Sequence, residues 1–164
     1  MNAARIATVL FLLAAGSAFG ADKPACDLLT REQVAPVMGA GAIATLYVRE
    51  ELPQRRAKTK ELTPVHICSW LIKEAQSAVE VHLVVALPEA LVALSTHNKT
   101  RRDDEQDFGD VSCWSEGSQK LQFPNAACAG TVKGNALKVL FRSNTAMPTI
   151  QQAKSLFDQA AAGL

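Results

Sequence analysis

Between Val79 and Val85 the chain alternates: Val79, Val81, Leu83 and Val85 on one side of an extended backbone, Glu80, His82 and Val84 on the other. Successive side chains of a strand point to opposite faces, so the pattern predicts a strand over 78–86 with one apolar face. The stretch before it, Val65 to Lys73, reads Val-His-Ile-Cys-Ser-Trp-Leu-Ile-Lys and predicts a central strand anchored by Cys68 and Trp70. A less regular alternation through Ile43, Leu46 and Val48 predicts a strand over 43–50. Later, 111–116 reads as a strand holding Cys113 and Trp114, and 119–123 as extended chain. Segments 126–133 and 136–142 read as a hairpin turning at Gly134-Asn135. In its second arm Val139 and Phe141 alternate with Lys138, Leu140 and Arg142, which gives one apolar face and one mixed face.

Three segments switch to helical period. Thr30 is placed to cap a helix and Gln33 to reach back to it, with Leu29 and Val34 as a hydrophobic staple. Val34, Val37 and Met38 mark the buried stripe, and Gly39 and Gly41 end this helix after about two turns. Pro88 sits at the natural first position of a second helix, in which Ala90, Leu91 and Leu94 recur toward Thr100. Pro148 or Thr149 starts a third, striped by Ile150, Ala153, Phe157, Ala160, Ala161 and Leu164. Short links between strands favour antiparallel pairing. The element order therefore predicts an α+β fold: an antiparallel sheet with helices packed on one face.

Two polar tracts interrupt the pattern. Residues 51–64 are expected to form a long loop with Pro53, Pro64 and the basic group Arg55, Arg56, Lys58 and Lys60, read either as a solvated loop or as a surface for an anion or a partner. Residues 101–107, Arg-Arg-Asp-Asp-Glu-Gln-Asp, either continue the second helix or form a charged loop. Asp103, Glu105 and Asp107 have calcium-loop spacing, but Phe108 stands where such a loop needs glycine and Trp114 where it needs glutamate. A solvated charge cluster is the expectation there.

The first twenty residues have the form of a secretory signal peptide: Arg5, an apolar run from Ile6 to Ala15, then Ala18-Phe19-Gly20 with small residues at the cleavage positions. The run is too short for a membrane-spanning helix. Cys26 lies beyond the expected cleavage point, which argues against a lipid anchor. The expectation is a signal peptide over 1–20 and one domain over 21–164, exported to the periplasm or secreted, with no transmembrane segment after cleavage. Of 17 basic and 16 acidic residues only Arg5 would be removed, so the mature charge is balanced and nothing points to nucleic acid.

All four cysteines, Cys26, Cys68, Cys113 and Cys128, lie in the expected mature chain. An even count in an exported protein predicts two disulfides. Three pairings are open; the favoured one joins Cys26 to Cys68, tying the first helix to the central strand, and Cys113 to Cys128, clipping neighbouring strands. In the loop-entropy view these contribute about 4 and about 3 kcal/mol. The cysteine spacings contain no C-x₂-C pair, so no metal and no cofactor is expected.

Cys26-Asp27-Leu28-Leu29-Thr30, the glycine-ended helix, Cys68-Ser69-Trp70 and Gly109-Asp110 before a strand resemble a family of exported cell-envelope proteins of unknown function. Many of its members are actinobacterial lipoproteins, and their fold is similar to the extracellular sensor domain of mycobacterial serine/threonine kinases. The resemblance spans roughly 25–162. It implies an antiparallel sheet with helices on one side and a Cys26–Cys68 bridge, and it brings no catalytic signature. The chain departs from the lipoprotein pattern at the cleavage site, and the Cys113/Cys128 pair is additional.

Recognised nucleophile, zinc-protease and nucleotide motifs are absent from the sequence. The reading is therefore a non-enzymatic binding or sensing module of the envelope. Its expected site is a cleft between the basic loop (Arg55, Arg56, Lys58, Lys60) and a sheet face carrying His66, Glu80 and His82. That cleft would take a small anionic ligand. The alternative is an inhibitor or immunity protein acting on an envelope enzyme or toxin, where a rigid disulfide-held surface loses little entropy on docking.

Overall fold

The computed structural model describes residues 25–38, 43–51, 63–72, 79–86, 88–96, 102–117 and 124–164. The expected signal peptide, the Arg55–Lys60 group, the extended segment at 119–123 and the end of the second helix lie outside them. Seven antiparallel strands form one sheet: β1 (Ile43–Glu51), β2 (Thr63–Leu71), β3 (Val79–Ala86), β4 (Asp104–Phe108), β5 (Val111–Glu116), β6 (Asn125–Val132) and β7 (Asn135–Ser143). Their order across the sheet is β1-β2-β3-β7-β6-β5-β4. With α1 (Arg31–Met38), α2 (Leu91–Thr96) and α3 (Ile150–Gly163), this is the expected α+β class built on an antiparallel sheet.

The two longer helices, α1 and α3, share one face. Their buried residues Val34, Met38, Leu156, Phe157 and Ala160 meet Cys68, Trp70, Leu83, Val139 and Phe141 of the sheet. Both helices begin as their sequences predict. Thr30 Oγ1 accepts from the Gln33 amide at 3.3 Å while Gln33 Oε1 accepts from the Thr30 amide at 2.7 Å. Thr149 and Gln152 repeat the same reciprocal cap on α3. Short α2, entered through a 3-10 turn at Pro88–Ala90, adds cover to the opposite face, where Leu91 and Leu94 pack on the sheet.

Strand β6, Asn-Ala-Ala-Cys-Ala-Gly-Thr-Val, runs between these two layers. Ala126 and Cys128 lie on the α3 side, Ala127 and Ala129 beside Trp114 and Leu91. Small side chains let helices approach the sheet from both sides here, and Gly130 lets β6 lie close against the start of β5. A methyl group at Gly130 would come within 2.9 Å of the Asp110 carbonyl oxygen and of Val111.

Both disulfides take the favoured pairing, Cys26–Cys68 and Cys113–Cys128. The first ties the turn before α1 to β2. The second joins residues directly opposite each other on β5 and β6.

Three expectations are corrected. The strand holding Cys68 and Trp70 is one in from an edge; β7 is the middle strand, because β3 pairs with it on the far side. Most of the charged tract is neither helix nor loop: residues 104–107 belong to edge strand β4. A tight turn at Gly109-Asp110, with Gly109 at φ +63°, returns β4 onto β5. Acidic residues are poor strand formers, but at an edge they discourage pairing with another chain. Finally, the β6–β7 hairpin turns at Lys133-Gly134, both at positive φ, one residue earlier than expected. Two adjacent left-handed residues are what a type I′ turn requires.

Candidate functional site

The face under α2 is the unusual one. Cross-strand register sets its composition. One row runs Ser69, His82, Leu140, Ala127 and Trp114; the next runs Ile67, Val84, Lys138, Ala129 and Ser112. On the other side of the first row, Arg142, Asn125 and Glu116 stand opposite one another in turn. Where α2 leaves the sheet uncovered there is a cavity of about 260 Å³. Its walls are Val65, Ile67, Val84, Leu94 and Leu140, and its polar groups are His82, Lys138 and Arg142.

Lys138 is the central group. It is part-buried, and its ammonium donates to the Leu94 carbonyl at 3.0 Å, which fixes it at the junction of β7 and α2. Burial lowers its pKa from the ordinary 10.5 to about 8. Glu116 pulls the other way, and the Arg102 and Arg142 guanidinium groups reinforce the fall. The nitrogen also lies 5.1 Å from the centroid of the Trp114 ring. The guanidinium of Arg102 stacks on that ring at 3.9 Å, pairs with Glu105 and donates to the Ser95 carbonyl, so it binds the approach to β4 to α2. Trp114 is 1% exposed and forms the wall behind both cations.

His82 is oriented by β2. Its Nδ1 lies 2.8 Å from Ser69 Oγ, directly across the strand pair, and Ser69 is only 4% exposed. A buried hydroxyl held this way sets the plane of the imidazole at the cavity wall. Glu116 accepts from Asn125 Nδ2 at 3.3 Å, and both are buried. The cavity thus combines a mainly apolar lining with three nitrogen-bearing groups, two of them cations or near-cations. Such a lining suits a small molecule with an apolar body and an anionic head.

The expected site is partly displaced. His82 does line the cavity, but His66 does not join it. His66 lies opposite Val85, whereas His82 lies opposite Ser69, so the two histidines sit on opposite faces of the sheet. His66 is half-buried on the face shared with α1 and α3, and its Nδ1 is buried with no hydrogen-bond partner among the described residues. Arg55, Arg56, Lys58 and Lys60 lie outside the described residues. Lys138 and Arg142 were not among the expected site residues. Their signal was the mixed face of 136–142, which only becomes a site once α2 walls it. Among the described residues no group of three or more His, Cys, Asp or Glu gathers as a metal would need, and no helix is long and apolar enough to cross a membrane.

The chain matches no protein-family model, no curated protein and no solved structure.

Proposed function

We propose that this chain is an exported binding or sensing module of the cell envelope, without catalysis of its own, whose pocket takes a small amphipathic anion. The observation that carries the reading is Lys138. A lysine that burial holds well below its ordinary pKa is unfavourable for the fold, since an apolar residue of similar length would fill the same space without desolvating a charge. Placed at a cavity beside Arg142 and His82, it has a use that the fold alone does not give it. An incoming carboxylate would bring a charge opposite to that of Lys138 to the cavity, while Val65, Ile67, Val84 and Leu140 receive an aliphatic or aromatic body.

Export fits this reading. Two disulfides are usual in an oxidising compartment, and the first twenty residues have the form of a signal peptide. The resemblance to the exported Cys-x-Trp family belongs to the same proposal, and it is a family for which no chemistry is established.

The test is a thermal-shift comparison of benzoate and octanoate with benzamide and octanamide, on the oxidised chain at pH 7. The carboxylates are expected to raise the melting temperature and the neutral amides to leave it unchanged. Lys138→Met is expected to remove the response. Equal stabilisation by acid and amide, or a carboxylate response that survives in Lys138→Met, would overturn the assignment.

A further inference from the structure

We propose that the Lys138 amine is a covalent capture site for a small aldehyde or ketone that also bears a carboxylate, held as an imine in the cavity between β2, β3, β7 and α2. The inference deepens the anion-pocket reading and rests on it. Three features of the site converge. Lys138 lines a cavity with a mainly apolar lining, Arg142 lines the same cavity, and the carbonyl of Leu94, another lining residue, takes one N–H of the amine. A neutral amine retains two N–H groups and one lone pair, so it can keep the Leu94 bond and still attack.

The environment favours the neutral form. At pH 7 an amine titrating near 8 is about one-tenth neutral, while one at the ordinary lysine value is neutral in roughly one part in three thousand. Desolvation in an apolar pocket and neighbouring cations are the two general means of activating an amine nucleophile, and both act on Lys138. The step balances without an oxidant or reductant. The nitrogen lone pair attacks the carbonyl carbon, and the oxygen takes up a proton to give a carbinolamine. That oxygen then leaves as water, and loss of the remaining N–H proton gives the imine. An apolar lining slows the reverse hydrolysis, and the carboxylate of the captured molecule is placed to meet Arg142.

The chain contains nine lysines, which provide internal controls. Lys133 is the most useful, being exposed at the tip of the same β6–β7 hairpin. The oxidised protein is treated with one equivalent of 4-carboxybenzaldehyde and sodium cyanoborohydride at pH 7, and the adducts are mapped by peptide mass spectrometry. Lys138 is expected to be labelled about tenfold faster than Lys133 or more, and excess benzoate is expected to slow labelling at Lys138 only. Lys138→Arg keeps the charge but has no amine able to form an imine, and it is expected to lose the adduct. Labelling of Lys138 no faster than of Lys133 overturns the capture proposal; if benzoate still stabilises the protein, the anion-pocket reading survives that result. Fast labelling that benzoate does not slow, with no benzoate thermal shift, overturns the pocket reading and with it the oxo-acid assignment.

Discussion

On one face of the sheet Cys68, Trp70, Leu83, Val139 and Phe141 meet two helices and a buried disulfide; on the other, His82, Lys138 and Arg142 stand beside six residues of α2. The backbone is the same seven strands. What differs is which alternate residues the pleat presents and how much helix covers them. The α1–α3 face buries apolar side chains and closes around them. The α2 face keeps cations next to apolar walls and leaves space. The first arrangement stabilises the fold, and the second accepts a desolvation penalty beside an open cavity. The comparison therefore predicts that mutations separate cleanly: those on the first face move stability and not binding, and those on the second move binding and can even raise stability.

The largest effect is expected on the closed face. Phe157 is 1% exposed and packs from α3 into the main core. Phe157→Ala removes the whole ring and leaves a cavity, which costs about 3–5 kcal/mol. Chemical denaturation measures it. Binding of benzoate to the fraction that remains folded is expected to be unchanged. A large loss of affinity at a temperature where the variant is fully folded would break the division of labour between the faces.

Lys138→Met reverses the sign. It removes a part-buried charge and keeps the length and much of the volume of the side chain. The fold is expected to gain about 1–3 kcal/mol at pH 7, the upper figure being the full shift from 10.5 to about 8 and the lower a discount for partial exposure. The gain is read from denaturant midpoints, and it is expected together with loss of the carboxylate response. A variant less stable than the parent would mean that Lys138 supports the fold through its Leu94 bond and its place beside Trp114, and the lysine would no longer mark the cavity as a binding site.

The same residue gives a pH signature. Its pKa is lowered in the folded state, so the unfolded chain binds more protons between about pH 8 and 10.5. Stability from this group therefore rises with pH across that window and is lost as pH falls through 8. The parent protein is expected to show this rising component in denaturation at pH 7, 8, 9 and 10, and Lys138→Met to lack it. Affinity for a carboxylate runs the other way. Above pH 8 the anion must draw a proton onto Lys138, so binding weakens and takes up protons, which calorimetry detects as a dependence of the heat on buffer ionisation. Parallel stability curves for the two proteins would place the charge of Lys138 in water and remove its special status.

How far the sequence reveals these two faces depends on the range of the interaction involved. The reciprocal Thr30/Gln33 cap, the Thr149 start of α3 and the alternation in β3 are local, and each is where the residue pattern puts it. The apolar stripe of α3 needs only a partner of matching shape, so the closed face was legible. The open face was not, for three physical reasons. Register decides whether His66 and His82 share a face, and the pairing of β2 with β3 is a non-local quantity that alternation within each strand leaves open. Strand β4 contradicts its own propensity, because Asp-Glu-Gln-Asp-Phe becomes extended only through pairing with β5. Lys138 and Arg142 read only as part of the mixed face of 136–142, and nothing local shows that β7 is the middle strand or that α2 walls them. The basic group at Arg55–Lys60 was conspicuous in sequence because it is a run. Lys138 and Arg142 are single basic residues four apart on β7, and they meet His82 of β3 only through the pairing of the two strands.

The smallest expected effect is also the most discriminating for the open face. Ser69 is buried and touches His82 across the β2–β3 pair, so Ser69→Ala removes one hydrogen bond and little volume. If the pair is only a satisfied polar contact, the loss is about 1 kcal/mol of stability and nothing else. If Ser69 holds the imidazole at the cavity wall, the loss also appears in binding. The ring gains rotational freedom, and the affinity for benzoate is expected to fall a few-fold. Ser69→Thr, which keeps the hydroxyl at the cost of one methyl group, is expected to recover most of that affinity. The pair of variants separates the two roles because both alter packing slightly and only one loses the hydroxyl. Matching affinities for the alanine and threonine variants would make Ser69 a structural residue and leave Lys138 and Arg142 to define the site. A few-fold gap between them would add Ser69 to the site.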